Sequence, residues 1–228
     1  MLNESNAQVD PTYFDKTTNL KLYGGLTIPS QEFSNTSSNG GLATNAYQIG
    51  FEINSIIKYG IGVGLDVGVD KYGFDYMAFN NYANAQTIET IGRYSSTFFG
   101  LNLSYNLPIK ITRNFALKVF GIGSAGLRGM RIPEIDLTYD EINNKYVEVS
   151  YRPRSSTMGY LSYRAGIEFI FNERWGISTS YKSVVRSQHR IYYSTRSFDT
   201  AGELYESEDF LSTYLDSKSY QIGVLLQF

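Results

Sequence analysis

Ile61-Gly-Val-Gly-Leu-Asp-Val-Gly-Val-Asp70 decides the fold of this chain. Its odd positions are all branched aliphatics, and its even positions are all glycine or aspartate. A β-strand sends successive side chains to opposite faces, so this stretch has one greasy face and one polar face. On a helix the same residues would be scattered around the whole circumference.

The two-residue period recurs along the chain. Leu20, Leu22, Leu26 and Ile28 oppose Lys21, Tyr23 and Thr27. Tyr47, Ile49, Phe51 and Ile53 oppose Gln48, Gly50, Glu52 and Asn54. Phe99, Leu101, Leu103, Tyr105 and Leu107 oppose Gly100, Asn102, Ser104 and Asn106. Leu161, Tyr163, Ala165, Ile167, Phe169 and Phe171 oppose Ser162, Arg164, Gly166, Glu168 and Ile170. Trp175, Ile177, Thr179, Tyr181 and Val185 oppose Gly176, Ser178, Ser180 and Lys182. Tyr220, Ile222, Val224, Leu226 and Phe228 oppose Gln221, Gly223 and Gln227. The stretch from Phe115 is less regular: Phe115, Leu117 and Val119 oppose Lys118, but Phe120 and Ile122 then fall on the charged side, which predicts a bulge after Val119. The total is eight strands.

The links between them alternate in length. Short ones lie near residues 57–60, 108–114 and 172–174; long ones lie near 30–44, 74–92, 130–156 and 186–213. Short turns at one end and long loops at the other are the habit of barrels that cross an outer membrane, with both termini in the periplasm when the strand number is even. The expected fold is all-β: an eight-stranded antiparallel transmembrane up-and-down β-barrel over residues 17–228, with four long extracellular loops. Residues 1–16 read as a periplasmic N-terminal tail.

Alternation alone does not say which face is outside, because a soluble barrel alternates with its apolar face inward. The charges decide it. Lys21, Glu52, Asp66, Asp70, Lys118, Arg164, Glu168 and Lys182 all share the minor face. Arg or Lys at the bilayer midplane costs about 2–4 kcal/mol, so a lipid-facing wall excludes them. The charged face therefore lines the interior. Eight strands leave room only for side chains there, so these four cations and four anions should form ion pairs, with Lys118–Glu168 the best matched in height. Tyr105, Phe115, Phe171, Trp175 and Phe228 fall at the short-turn ends and are expected to form an aromatic girdle at the periplasmic interface.

Composition fits this reading. The 228 residues include 21 glycines and 20 tyrosines, plentiful for turn-rich β structure, and no run of about 18 apolar residues for a spanning helix. The net charge of −2 offers no field for nucleic acid. With no cysteine, disulfides and thiolate chemistry are excluded, and neither cofactor nor metal is expected. The N-terminal residues lack the basic and apolar regions of a secretory signal, so the expectation for an outer-membrane protein is that the signal is absent from this sequence.

The ending Tyr220-Gln-Ile-Gly-Val-Leu-Leu-Gln-Phe228 resembles the C-terminal strand of outer-membrane proteins. That resemblance implies recognition by the barrel-assembly machinery during biogenesis. The glycine- and tyrosine-rich strands with acidic, asparagine-rich loops resemble the small barrels of Bacteroidota, including PorT-like proteins. The loop design resembles OmpX- and OmpA-type barrels.

The loops are the expected working surface. Ile135, Leu137 and Tyr139 alternate on one arm of a hairpin, and Val147, Val149 and Tyr151 on the other, with Asp140-Glu-Ile-Asn-Asn-Lys145 as the turn. An exposed hairpin edge is suited to pairing with a partner strand. Arg128, Arg131, Arg152 and Arg154 bracket its base, placed to meet lipopolysaccharide phosphates or neighbouring acids. The acidic tip from Gly202 to Asp209 matches no calcium-loop spacing and reads as a solvated turn. Three functions follow. The favoured one is a non-enzymatic surface, structural or complex-subunit protein whose loops or rim bind a protein or glycan, its other partners being outer-membrane lipid and lipopolysaccharide. The second is a lipid-modifying enzyme, deacylase- or esterase-like, built on Ser187 and the single histidine, His189. The third is a small pore.

Overall fold

The computed structural model describes residues 8–10, 12–36, 41–139, 146–154, 156–185 and 188–228. In chain order the elements are β1 (Gln8–Val9), β2 (Thr18–Pro29), α1 (Gln31–Ser34), β3 (Ala43–Lys58), β4 (Ile61–Phe74), α2 (Tyr76–Ala83) and β5 (Thr87–Ile91). They continue with β6 (Tyr94–Thr112), β7 (Phe115–Arg131), β8 (Glu134–Thr138), β9 (Tyr146–Pro153) and β10 (Ser156–Phe171). The last four are β11 (Trp175–Val184), β12 (Gln188–Asp199), β13 (Leu204–Tyr214) and β14 (Ser217–Gln227).

Eight of these close a barrel. The antiparallel pairings run β2–β3–β4–β6–β7–β10–β11–β14 and return from β14 to β2, where Leu22 stands opposite Val224. Closure removes the sheet edges that a bilayer cannot hydrogen-bond. The strands outrun the apolar stretches that announced them: β6 extends from Tyr94 to Thr112, because hydrogen-bonded pairing continues into the polar flanks. The tight β3–β4 turn uses Tyr59 and Gly60, both with positive φ, and a side chain on Gly60 would strike the Asn106 carbonyl.

The alternation sorts as the charges require. Leu22, Ile49, Val63, Leu101, Ile167 and Ile222 stand exposed on the outer wall, while Lys21, Glu52, Asp66, Lys118 and Arg164 are buried within. An apolar outer wall around a charged interior is the arrangement of a barrel that crosses a membrane.

The expected bulge after Val119 is not there. β7 pairs with β10 in unbroken register from Phe115 to Met130, so Phe120 and Ile122 point into the lumen. The reason is local: Phe120 lies opposite Gly166, where a Cβ would come within 2.7 Å of the ring, and the Lys21 ammonium sits over that ring at 4.6 Å.

Both ends of the lumen are sealed. Below, Phe14 is buried with Ile56, Ala116, Ile170 and Leu225, so the segment ahead of β2 tucks under the barrel, and β1 pairs with β6. The Tyr13 hydroxyl donates to Glu173 Oε1 at 2.5 Å across this end. Burial, then that carboxylate, push the phenol up to about 12. Above, Phe33, Ala46, Tyr72, Tyr94, Met130, Ile191 and Leu215 form a second apolar cluster.

The long loops are not irregular. β5, β8, β9, β12 and β13 make a separate antiparallel sheet in the order β13-β12-β9-β8-β5. This overturns the expectation of a hairpin with an open edge. β8 is paired by β5 on its outer side, and β9 by β12, so the sheet's open edges belong to β5 and β13.

Candidate functional site

The lumen and the five-stranded sheet built from the long loops carry the chain's polar chemistry. In the lumen Glu168 joins two cations: Lys118 Nζ lies 2.5 Å from Oε2 and Lys21 Nζ lies 3.0 Å from Oε1. Lys21 also approaches Glu52 at 3.3 Å, and Glu52 pairs with Arg164. Lys182 meets Asp66 at 3.0 Å, and the Tyr23 hydroxyl donates to the other Asp66 oxygen at 2.5 Å. Gln48 donates to Asp70 at 2.7 Å and accepts from Gln221. The eight charged residues expected inside are thus brought into one connected interior. Glycine makes room for rings here: Tyr23 lies over Gly50, and Phe98 fills the space at Gly68, with Lys182 4.1 Å above the Phe98 ring.

Arg128 belongs to this interior and not to the loop surface. It is 4% exposed and bonds Asp70 Oδ2 at 2.6 Å and the Leu215 carbonyl at 3.3 Å. The signal was available in the register. Lys118, Phe120, Ile122 and Ser124 are all even-numbered inward residues, and Arg128 continues their parity.

At the short-turn rim Phe115, Phe171 and Trp175 form a continuous run, with ring centroids 5.3 Å and 4.7 Å apart. Phe228 stands exposed beyond β14. Tyr105 lies opposite Ile61 and Gly121, further up β7 than Phe115 and away from that run.

The loop sheet is amphipathic. Ile135, Leu137 and Ile191 are buried, and Tyr151, Tyr193 and Leu211 pack against the cluster over the barrel mouth. Val149 stands opposite Leu137; Tyr139 follows the end of β8, partly buried. Val147 lies in β9, but its side chain and residues 140–145 fall outside the described residues. Neighbouring positions turn the other way by strand alternation. On that face Arg152 stands opposite Ser194, which stands opposite Glu208; Ser150 stands opposite Arg196, which stands opposite Glu206. These residues, with Arg154 and Phe198, line a groove of about 620 Å³. The guanidinium groups are engaged: Arg152 with Asp136 at 2.7 Å, Arg154 with Glu208 at 2.7 Å, and Arg196 with Glu206 at 2.6 Å. Two carboxylates of the expected solvated tip are therefore cross-strand partners, while the turn itself is closed by Asp199, which accepts from the amides of Ala201 and Glu203.

His189 lies near the start of β12, opposite Thr213, and Ser187 is outside the described residues. Burial, then the Arg128 charge, hold the imidazole below its usual pKa.

No family model and no curated protein matches the sequence. In structure the chain is similar to Neisserial surface protein A, with 11% identity and a TM-score of 0.49 over 97% of this chain and 99% of that one. It is also similar to a major outer membrane protein from Thermus thermophilus, with 9% identity and a TM-score of 0.48 over 92% and 99%. The N-terminal β-barrel domain of Pseudomonas aeruginosa OprF gives 12% identity and a TM-score of 0.42 over 97% and 100%. These likenesses concern the fold alone, an eight-stranded closed antiparallel β-barrel.

Proposed function

We propose that this chain is a non-enzymatic integral outer-membrane protein, in which a solid barrel anchors an extracellular sheet that binds a partner at the cell surface. The observation that carries this is the second sheet: the long loops give up their freedom to form five paired strands with a polar face turned away from the barrel. Ordering that many loop residues costs about 1–2 kcal/mol of backbone entropy each, which a merely solvated loop has no reason to bear. A lumen whose charged groups are 0–4% exposed, capped by apolar clusters at each end, favours an anchor over a conduit.

The test replaces residues 134–153 and 188–214 by short glycine–serine turns. The truncated barrel is expected to insert and to keep its heat-modifiable mobility on gels. Affinity purification from native outer membranes should recover a partner with the intact chain and lose it with the truncated one. Recovery of the same material by both would overturn the proposal, as would conductance steps from the intact protein in planar bilayers.

A further inference from the structure

The groove on the outer face of the extracellular sheet has a particular chemistry. Across β9 and β12 its floor alternates serine with arginine, and β13 borders it with two glutamates. One row reads Arg152, Ser194, Glu208 across β9, β12 and β13; the next reads Ser150, Arg196, Glu206. The short serines leave hollows between longer walls, and the Phe198 ring closes one end.

The charges in those walls are already neutralised. Each of the three arginines has a carboxylate within 2.6–2.7 Å. A phosphate or sulfate entering here would have to displace a carboxylate from its guanidinium and would then face Glu206 and Glu208 at close range, where like charges repel. The face is therefore poorly suited to the phosphates of lipopolysaccharide, although it holds three arginines.

What it suits is a ligand that both donates and accepts hydrogen bonds and carries no charge. A guanidinium offers a flat fork of donors, a carboxylate offers paired acceptors, and a serine hydroxyl offers either. Exposed ion pairs of this kind contribute at most about 1 kcal/mol, so they yield readily to hydroxyls that insert between them. An aromatic ring at the end of such a groove covers the C–H face of a sugar. We infer that this groove binds a neutral, polyhydroxylated glycan. The inference rests on the sheet being the protein's working surface, and it adds the class of ligand.

The experiment uses the full chain in lipid nanodiscs, labelled at its N-terminus, on an array of neutral and acidic oligosaccharides. Selected neutral oligosaccharides should bind, with affinity little changed between ~50 and ~500 mM salt, since a screened attraction is not the source. Ser194→Tyr fills the floor and should weaken that binding about tenfold or more. Ser150→Tyr should do the same from the adjacent row, which keeps the test decisive if one variant folds poorly; heat-modifiable mobility reports folding for both. Phe198→Ala should weaken binding without changing salt dependence. Binding confined to acidic glycans, or binding that collapses as salt rises, would overturn the inference. So would neutral binding that survives both serine replacements, or no neutral binding at all. If no glycan binds but a protein partner is still lost with the truncated sheet, this inference fails while the binding platform stands.

Discussion

Lys118 and Glu168 stand directly opposite one another across the β7–β10 pairing, with Nζ and Oε2 2.5 Å apart and side chains only 1% and 5% exposed. One carboxylate thereby serves two ammonium groups, since Lys21 holds its other oxygen. Removing one member of a buried pair costs about 3–5 kcal/mol, because the partner charge is left without compensation. Glu168→Gln should lower stability by about that amount, read by urea unfolding in lipid vesicles through the fluorescence of Trp175, the chain's single tryptophan. Adding Lys118→Met should recover part of the loss, since the stranded ammonium is then gone. An unchanged midpoint in the single variant would mean that this pair is bathed in water.

This pair was legible in the sequence because strand parity and distance from a short turn fix both height and facing. Arg128 shares that parity, with exposed Leu127 beside it, but Phe120 and Ile122 suggest a bulge after Val119 that would turn the later even-numbered residues outward. Phe14 was hidden differently: a lone aromatic in a polar segment has no period. β12 and β13 carry tyrosine, serine and charge on both parities, and their pairing with β9 is non-local, so no short-range pattern announces the sheet.

Arg128 also has a consequence for the chain above the barrel. It joins β7 to Asp70 on β4 and, through the Leu215 carbonyl, to the segment leading into β14. Asp70 is wholly buried, and Gln48 at 2.7 Å and Thr27 at 3.5 Å also donate to it. Arg128→Leu should therefore destabilise by about 3–5 kcal/mol, and Asp70→Asn in the same chain should restore part of it. Amide hydrogen exchange around Leu215 should quicken in the single variant; unchanged exchange there would detach Arg128 from this role.

Phe14 closes the short-turn end of the barrel, and Phe→Ala in a packed cluster costs about 3–5 kcal/mol. The loss should show locally first. The Lys16 amide donates to the Ile56 carbonyl, so its hydrogen exchange should accelerate in Phe14→Ala more than exchange in the middle of β10. Equal protection in both proteins would mean that the segment is not held by this ring.

The orientation of the wall is open to direct measurement. Spin labels at Val63 and Leu101 should collide with oxygen dissolved in hydrocarbon and be shielded from a water-soluble nickel chelate. Labels at Asn102 and Ser124, on neighbouring inward positions of β6 and β7, should be shielded from both. The reverse pattern would turn the barrel inside out.

Leu137 tests the loop sheet separately from the barrel. It is 2% exposed in β8, which lies between β5 and β9, so a carboxylate there has no water and no partner cation in its strand. A buried charge of that kind is strongly disfavoured, and the cheapest escape is for the sheet to open. Leu137→Asp should leave the barrel intact, because the β7–β10 pairing closes the wall without any contribution from β8. Limited proteolysis should then cut residues 188–214, protected in the parent chain by pairing with β9, while heat-modifiable mobility is retained. Loss of both together would mean that sheet and barrel fold as one unit; loss of neither would mean that the sheet does not depend on this buried side.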